Sequence, residues 1–335
     1  MKQNPNQQGR LWLLLLVLAL PVCILLSLRF GSQNFTTGQL IQALWERDAS
    51  GVVWRILVYV RAPRTLAGVL AGAALSVAGV LLQSVLNNAM ASPNVIGVNA
   101  GAGFFALLAG ALLHGTPQAV PVAAFLGALG TAMLVYLLAL RAGLSRTTLI
   151  LAGLAVSGML TAGVNTIKLL YPDATSGADG FLLGGLSGVT LSALGNAAPY
   201  ILLGMLLALM LAADLNVLAL GEESAMSLGL AIGRVRFLAI LAAALLAGAA
   251  VSFAGLLSFV GLLVPHMARR LVGQDARCLI PAAGLMGACL LLLCDVLARV
   301  LFAPFELPVG ILLSLIGGPF FLSLLLRRKR GRVYD

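Results

Sequence analysis

Apolar runs close to 20 residues long recur along this chain, beginning with LWLLLLVLALPVCILLSL over residues 11–28, and they fix its class before any motif is read. A run of that length crosses the ~30 Å hydrocarbon core of a bilayer as an α-helix. Only helices and closed barrels satisfy their own backbone groups in lipid. The runs are rich in Leu, Ala and Gly and lack the roughly ten-residue alternation of a barrel strand, so the spans read as helices. Composition agrees: of 335 residues, 61% are hydrophobic and 10% charged, with a mean hydropathy of +1.05, against roughly a quarter charged in a soluble domain.

Spans are expected near residues 11–30, 62–86, 94–113, 119–140, 148–170, 195–213, 235–254, 257–271, 279–301 and 308–326. That makes about ten, all in one transmembrane domain over residues 1–335. The first run has no small-x-small cleavage site after it, so it reads as a retained span rather than a signal peptide. Residues 35–59, which include LIQALW, read as an outside surface helix or a loop. A net charge of +10 would suit nucleic acid if the basic residues shared one face. They are scattered at the ends of apolar runs instead, which points away from nucleic acid and toward a topology signal. With the N-terminus inside, Lys2, Arg10, Arg141, Arg146, Arg234, Arg236, Arg269, Arg270, Arg277 and the RRKRGR tail face the cytoplasm. Glu46, Asp48, Asp173, Asp179 and Glu306 then lie outside, and both termini are cytoplasmic.

The four cysteines, Cys23, Cys278, Cys289 and Cys294, lie in or beside apolar runs without CxxC spacing and read as packing residues. The 38 glycines often stand at close-packing spacing, as in Gly68 with Gly72 and Gly97 with Gly101, which lets helix backbones approach in lipid. A short echo between SVAGVLL (76–82) and SFAGLLS (252–258) hints at an inverted repeat.

Three places carry charge that topology does not explain. The stretch LALGEESAMSLGLAIGRVR, residues 218–236, is too polar to span and too short for a domain. Leu218, Ala225, Leu228 and Leu230 with Gly221 and Gly229 suggest short helices with an apolar edge, which fits a protein partner or the membrane surface; the acids Glu222 and Glu223 disfavour anionic headgroups. Arg61 and Arg64 flank Pro63 at the mouth of the second span, and Arg299 follows Asp295 by four residues near the end of the ninth. These arginines read either as an internal i,i+4 pair with headgroup contacts or as a docking point for an external acidic partner. His266, in PHMARR (265–270), has no nucleophile or carboxylate at recognisable spacing, and Pro265 is expected to end or bend that short helix. No G-x-x-x-x-G-K-[ST] run occurs, so this chain does not hydrolyse ATP in the P-loop manner.

Five stretches in order resemble the FecCD-type permeases, the membrane subunits of ABC importers for iron-siderophores, haem and cobalamin. They are RAPRTLAGVLAGAALSVAGVLLQ (61–83), ASPNVIGVNAGAG (91–103), LALGEESAMSLG (218–229), GLLSFVGLLVPHMARRLVG (255–273) and ELPVGILLSLIGGPFFLSLL (306–325). Where the family usually has NPLAxP, this chain has NAMASP (88–93), keeping Asn88 and Pro93 but not the Pro and Leu between them.

The resemblance implies the type II importer permease fold, an all-α bundle in the bacterial cytoplasmic membrane. The loop 214–234 becomes a coupling element for separate ATP-binding subunits, through Leu220, Gly221, Glu222, Glu223, Ser224, Ala225, Leu228 and Gly229. It further implies that Arg61, Arg64 and Arg299 receive glutamates of a substrate-binding protein, that a second permease copy completes the pathway as a homodimer, and that the chain holds no cofactor or metal, ATP and Mg belonging to the partner. Asn88, Pro93, Gly97, Pro265, His266, Pro308, Gly317, Gly318 and Pro319 are expected at turns and close packing. Ferric siderophore is the commonest cargo of similar permeases, with haem and cobalamin open. The alternative class is an ion-coupled secondary transporter, for which Asp295 is the one fair candidate; an intramembrane enzyme lacks a nucleophile and base or a metal-ligand cluster.

Overall fold

A computed structural model describes residues 5–31, 33, 35–46, 51–113, 116, 118–143, 145–172, 178–303 and 305–329; Lys2, Asp48, Asp173 and the end of the RRKRGR tail lie outside them. In chain order the helices are α1 (Pro5–Arg29), α2 (Thr37–Glu46), α3 (Val52–Ile56), α4 (Ala62–Val85), α5 (Val98–Leu112), α6 (Ala119–Arg141), α7 (Arg146–Leu170), α8 (Asp179–Leu183) and α9 (Leu191–Met210), followed by α10 (Ala212–Leu218), α11 (Glu222–Ser227), α12 (Ile232–Ala254), α13 (Val260–Val272), α14 (Ala276–Val300) and α15 (Val309–Lys329). No strand occurs among the described residues. Seven of the helical segments are long and apolar enough to cross a membrane, and α5 and the apolar part of α15 are shorter. The protein is an all-α, multi-span membrane protein.

The second span begins at Val52 rather than near residue 62, because the helix runs on through a π-turn, Leu57–Arg61. Pro63 has no N–H for the carbonyl four residues back. The widened turn absorbs this, with the Ala62 N–H donating to the Leu57 carbonyl. Residues 37–46 form the helix α2, whose Leu40 packs with Phe35 and Leu57 while Trp45 is 88% exposed.

The segment containing α4 is the central post: 78% of its apolar window is buried, against 72% for α12 and α14 and 11% for α1 and α7. Its glycines explain how neighbours come so near. A Cβ on Gly72 would lie 2.3 Å from the Gly287 carbonyl oxygen of α14, and one on Gly79 would lie 1.9 Å from that of Gly261 in α13. Those are backbone-to-backbone contacts that only glycine permits.

The NAMASP turn keeps its geometry without the Pro and Leu: the Asn88 Oδ1 accepts from the Met90 N–H at 2.9 Å. Pro93 then opens a 3-10 turn, Pro93–Ile96, and Gly97 enters α5 at φ +78°, a conformation that glycine adopts at little cost.

Pro265 does not end its helix; α13 continues to Val272. The carbonyl it leaves without a helical donor belongs to Gly261, and Gln83 of α4 supplies a replacement through Nε2 at 3.4 Å. Arg269 donates in turn to the Gln83 Oε1. His266 presents a buried Nε2 with no hydrogen-bond partner and lies edge-on to Phe320.

Pro308 directly precedes α15, where the Gly310 N–H reaches the Gly184 carbonyl at 3.0 Å. Gly317 is pressed against the Phe259 ring, whereas a Cβ on Gly318 would meet nothing within 4 Å, so close packing does not account for that glycine. Pro319 lies inside α15 without breaking it. The two stretches of the echo, 76–82 and 252–258, differ in local structure: the first is mid-helix in α4, while the second runs off the end of α12 at Ala254.

Candidate functional site

Two constellations stand at opposite ends of α14. At its start lies the segment formed by α10 and α11. Leu215 and Leu218 are buried and anchor α10, while Ala225, also buried, anchors α11. Gly221 makes the turn between them at φ +106°. Glu222 and Glu223, adjacent in sequence, divide their tasks. Glu222 accepts from Arg236 of α12 at 2.6 Å and ties α11 to the bundle. Glu223 is exposed, with Ser224 beside it. Leu220 (65% exposed), Met226 (59%) and Leu228 (66%) carry the apolar edge outward, and Gly229 closes the helix at φ +81°. The segment is thus a firmly held platform whose apolar outer face carries the exposed Glu223.

At the far end of α14 the arginines come together. Arg61, Arg64 and Arg299 are 4%, 6% and 3% exposed. Asp295, also buried, is shared: Arg64 Nη2 approaches Oδ1 at 3.0 Å, and Arg299 Nη2 approaches Oδ2 at 3.0 Å across one helical turn. Arg64 Nη1 also pairs with the more exposed Glu306 at 2.6 Å.

The remaining guanidinium hydrogens cap the end of α1, whose last carbonyls have no intrahelical donors. Arg61 donates to the carbonyls of Leu28, Arg29 and Gln33 and stacks over Phe35, 4.3 Å from the ring centre. Arg299 donates to the Ser27 carbonyl at 3.3 Å and to its hydroxyl at 3.1 Å, and that hydroxyl meets Thr65 at 2.8 Å. Positive charge here also complements the negative end of the α1 dipole. Three cations and two carboxylates leave the cluster one charge positive. It opens through a cleft of about 220 Å³ lined in part by Gly31, Gln33, Val60 and Glu306.

The i,i+4 pairing of Asp295 with Arg299 was legible in the sequence. Capping of α1 by Arg61 and Arg299, and the roles of Ser27, Thr65 and Gln83, were not, since nothing local marks a partner dozens of residues away. Both oxygens of Asp295 are committed to guanidinium groups, which is poor architecture for a carboxylate that must take up and release an ion. Among the described residues, no group of three or more His, Cys, Asp and Glu is placed to hold a metal ion.

Comparison with known proteins places this geometry. The chain is 35% identical to the hemin transport system permease protein HmuU of Yersinia pestis, over 98% of this chain and 99% of that one. It is 37% identical to the Fe(3+)-citrate import system permease protein YfmD of Bacillus subtilis, with 96% of each chain covered. It is also 37% identical to the ferric enterobactin transport system permease protein FepG of Escherichia coli, over 95% of this chain and 96% of that one. Among solved structures, a metal-chelate type ABC transporter in an inward-facing conformation superposes with a TM-score of 0.84 at 30% identity, covering 94% of this chain and 98% of that one. The family model of the FecCD transport family matches residues 16–327, nearly the whole length, and the chain belongs to that family.

Proposed function

We propose that this chain is the permease subunit of an ABC importer that carries a ferric chelate, in the first place a ferric siderophore, across the cytoplasmic membrane. The observation that carries the reading is the platform of α10 and α11: three large apolar side chains, Leu220, Met226 and Leu228, held outward on an anchored scaffold next to Glu223. Such a face suits a groove on a separate ATP-binding subunit, whose closure on ATP would move the platform and switch the pathway between its two open states. Relatives named for ferric citrate and ferric enterobactin support the cargo. One named for hemin keeps haem as the second reading.

In this reading ten helices cross the membrane, with α5, α13 and α15 completing the seven longer ones, and both termini face the cytoplasm. The permease works as a homodimer. Helix α7, 11% buried and carrying exposed Leu154 and Met159, is a face for the second copy. The substrate-binding protein docks outside over the arginine cluster, whose net positive charge is reached through the cleft beside Glu306.

The test is reconstitution of the permease with its ATP-binding subunit in lipid, comparing wild type with Leu228→Asp and Glu223→Lys. Loss of ATPase association in both variants is the expected result; unchanged association would remove the platform's role. Uptake of ferric siderophore against haemin then decides the cargo.

A further inference from the structure

Two of the constellations above share one helix, and a single side chain bolts the platform to it. Asn216 of α10 reaches the start of α14, 60 residues further along the chain. Its Oδ1 accepts from the Ala276 N–H at 2.7 Å, and its Nδ2 donates to the Asp275 Oδ1 at 2.7 Å. The same Asp275 oxygen accepts from the Arg277 N–H at 3.0 Å as the N-cap of α14. Two of the first unsatisfied N–H groups of α14 are therefore capped jointly. One cap is local, and the other belongs to the platform. Because both ends of the Asn216 amide are bonded, α10 cannot shift along or rotate about α14 by much without breaking at least one bond. Helix α14 spans 25 residues, roughly 37 Å at 1.5 Å per residue, and its other end carries Asp295 and Arg299.

We propose that Asn216 is a positioning residue that passes displacement of the platform into α14, and so couples the ATPase face to the arginine cluster. This rests on the reading of α10 and α11 as the ATPase-coupling platform. Coupling between two sites is reciprocal, so it can be read without knowing the cargo. The measurement is the affinity of the substrate-binding protein for the assembled permease and ATPase in nanodiscs, nucleotide-free and trapped with ADP-vanadate.

Wild type is expected to show affinities differing by at least about fivefold between the two states, the low end of allosteric coupling. In Asn216→Asp two carboxylates face each other and the amide bond to Asp275 is lost, so the ratio should fall toward one while ATPase association is kept. Adding Asp275→Asn to that variant returns the amide-to-carboxylate bond with donor and acceptor exchanged, though the Arg277 N–H, which shared the same Asp275 oxygen, loses its acceptor; the ratio should recover in large part. A generally damaged structure would not show that rescue.

A wild-type ratio of one, an Asn216→Asp ratio equal to wild type, or no recovery in the double variant would each overturn the proposal. Leu228→Asp separates the failures. If it leaves ATPase association intact, the platform reading falls and the latch with it; if it abolishes association while Asn216→Asp changes nothing, only the latch falls.

Discussion

Replacing Asp295 by Asn tests whether the arginine cluster is a permanent structural clamp. The carboxylate serves two guanidinium groups whose side chains are 8% and 3% exposed. Asn keeps the shape and one acceptor but removes the charge, leaving Arg64 and Arg299 as neighbouring, largely buried cations. Removing one partner of a buried ion pair costs about 3–5 kcal/mol. Arg64 keeps Glu306 as a second partner, so the lower end, about 3 kcal/mol, is expected here.

Glu306→Gln is the internal control. Its side chain is 31% exposed, and a pair of that kind contributes about 1 kcal/mol or less. Equilibrium unfolding of the purified chain in mixed micelles should therefore separate the two variants by roughly 2 kcal/mol. An Asp295→Asn protein as stable as Glu306→Gln would refute the clamp. An ion-coupled carrier predicts the opposite pattern, with stability kept and transport lost.

The close approach of α4 and α13 makes Gly79→Ala strongly destabilising, by about 1–3 kcal/mol or more, because the new Cβ would lie 1.9 Å from the Gly261 carbonyl oxygen; Gly318→Ala, in open space, should change unfolding by less than about 1 kcal/mol. Gln83→Leu removes the donor to the Gly261 carbonyl and the acceptor of Arg269, costing about 1–3 kcal/mol. Adding Pro265→Ala, which gives that carbonyl a helical N–H, should recover part of the loss in the same unfolding assay. Asp275 is held below the usual carboxylate range, first by the Asn216 amide and then by the Arg277 N–H. A depressed folded-state value means that its stabilisation is complete above the unfolded carboxylate pKa of about 4 and fades as pH falls through the folded value. Limited proteolysis of the α10–α11 platform should show a wild-type acid transition below about pH 4 that Asp275→Asn lacks.

The spans were legible because their apolar runs have one reading in lipid, and α6, α7 and α12 lie within a few residues of where hydropathy puts them. Their starts were less legible. The early beginning at Val52 depends on a π-turn, which leaves no periodic signature, and whether Pro265 ends or bends its helix was open in the sequence because the partner that rescues the freed carbonyl, Gln83, lies far away. At the platform, residue types were readable but roles were not. Nothing in the dipeptide Glu222–Glu223 says which acid turns inward; the position of Arg236 decides that.

The same geometry constrains where the energy for transport can enter. The buried charges at the far end of α14 are engaged within the bundle: Asp295 holds two arginines, Arg64 also holds Glu306, and Arg61 spends its donors on backbone carbonyls. None of these groups is poised to change its partner through a covalent or proton-driven cycle. The bundle around α4 is packed backbone to backbone, at Gly72 with Gly287 and at Gly79 with Gly261, and tightly packed interiors move between discrete arrangements rather than deforming continuously. In the proposed reading, work arrives as force on an outward handle that is itself bolted to the bundle. The α10–α11 platform has that form, being apolar outside, tied to α12 by Glu222 and tied to α14 by Asn216. A flexible loop with the same exposed residues would bind a partner equally well and transmit nothing, so the two ties, more than the apolar face, distinguish a coupling element from a docking site.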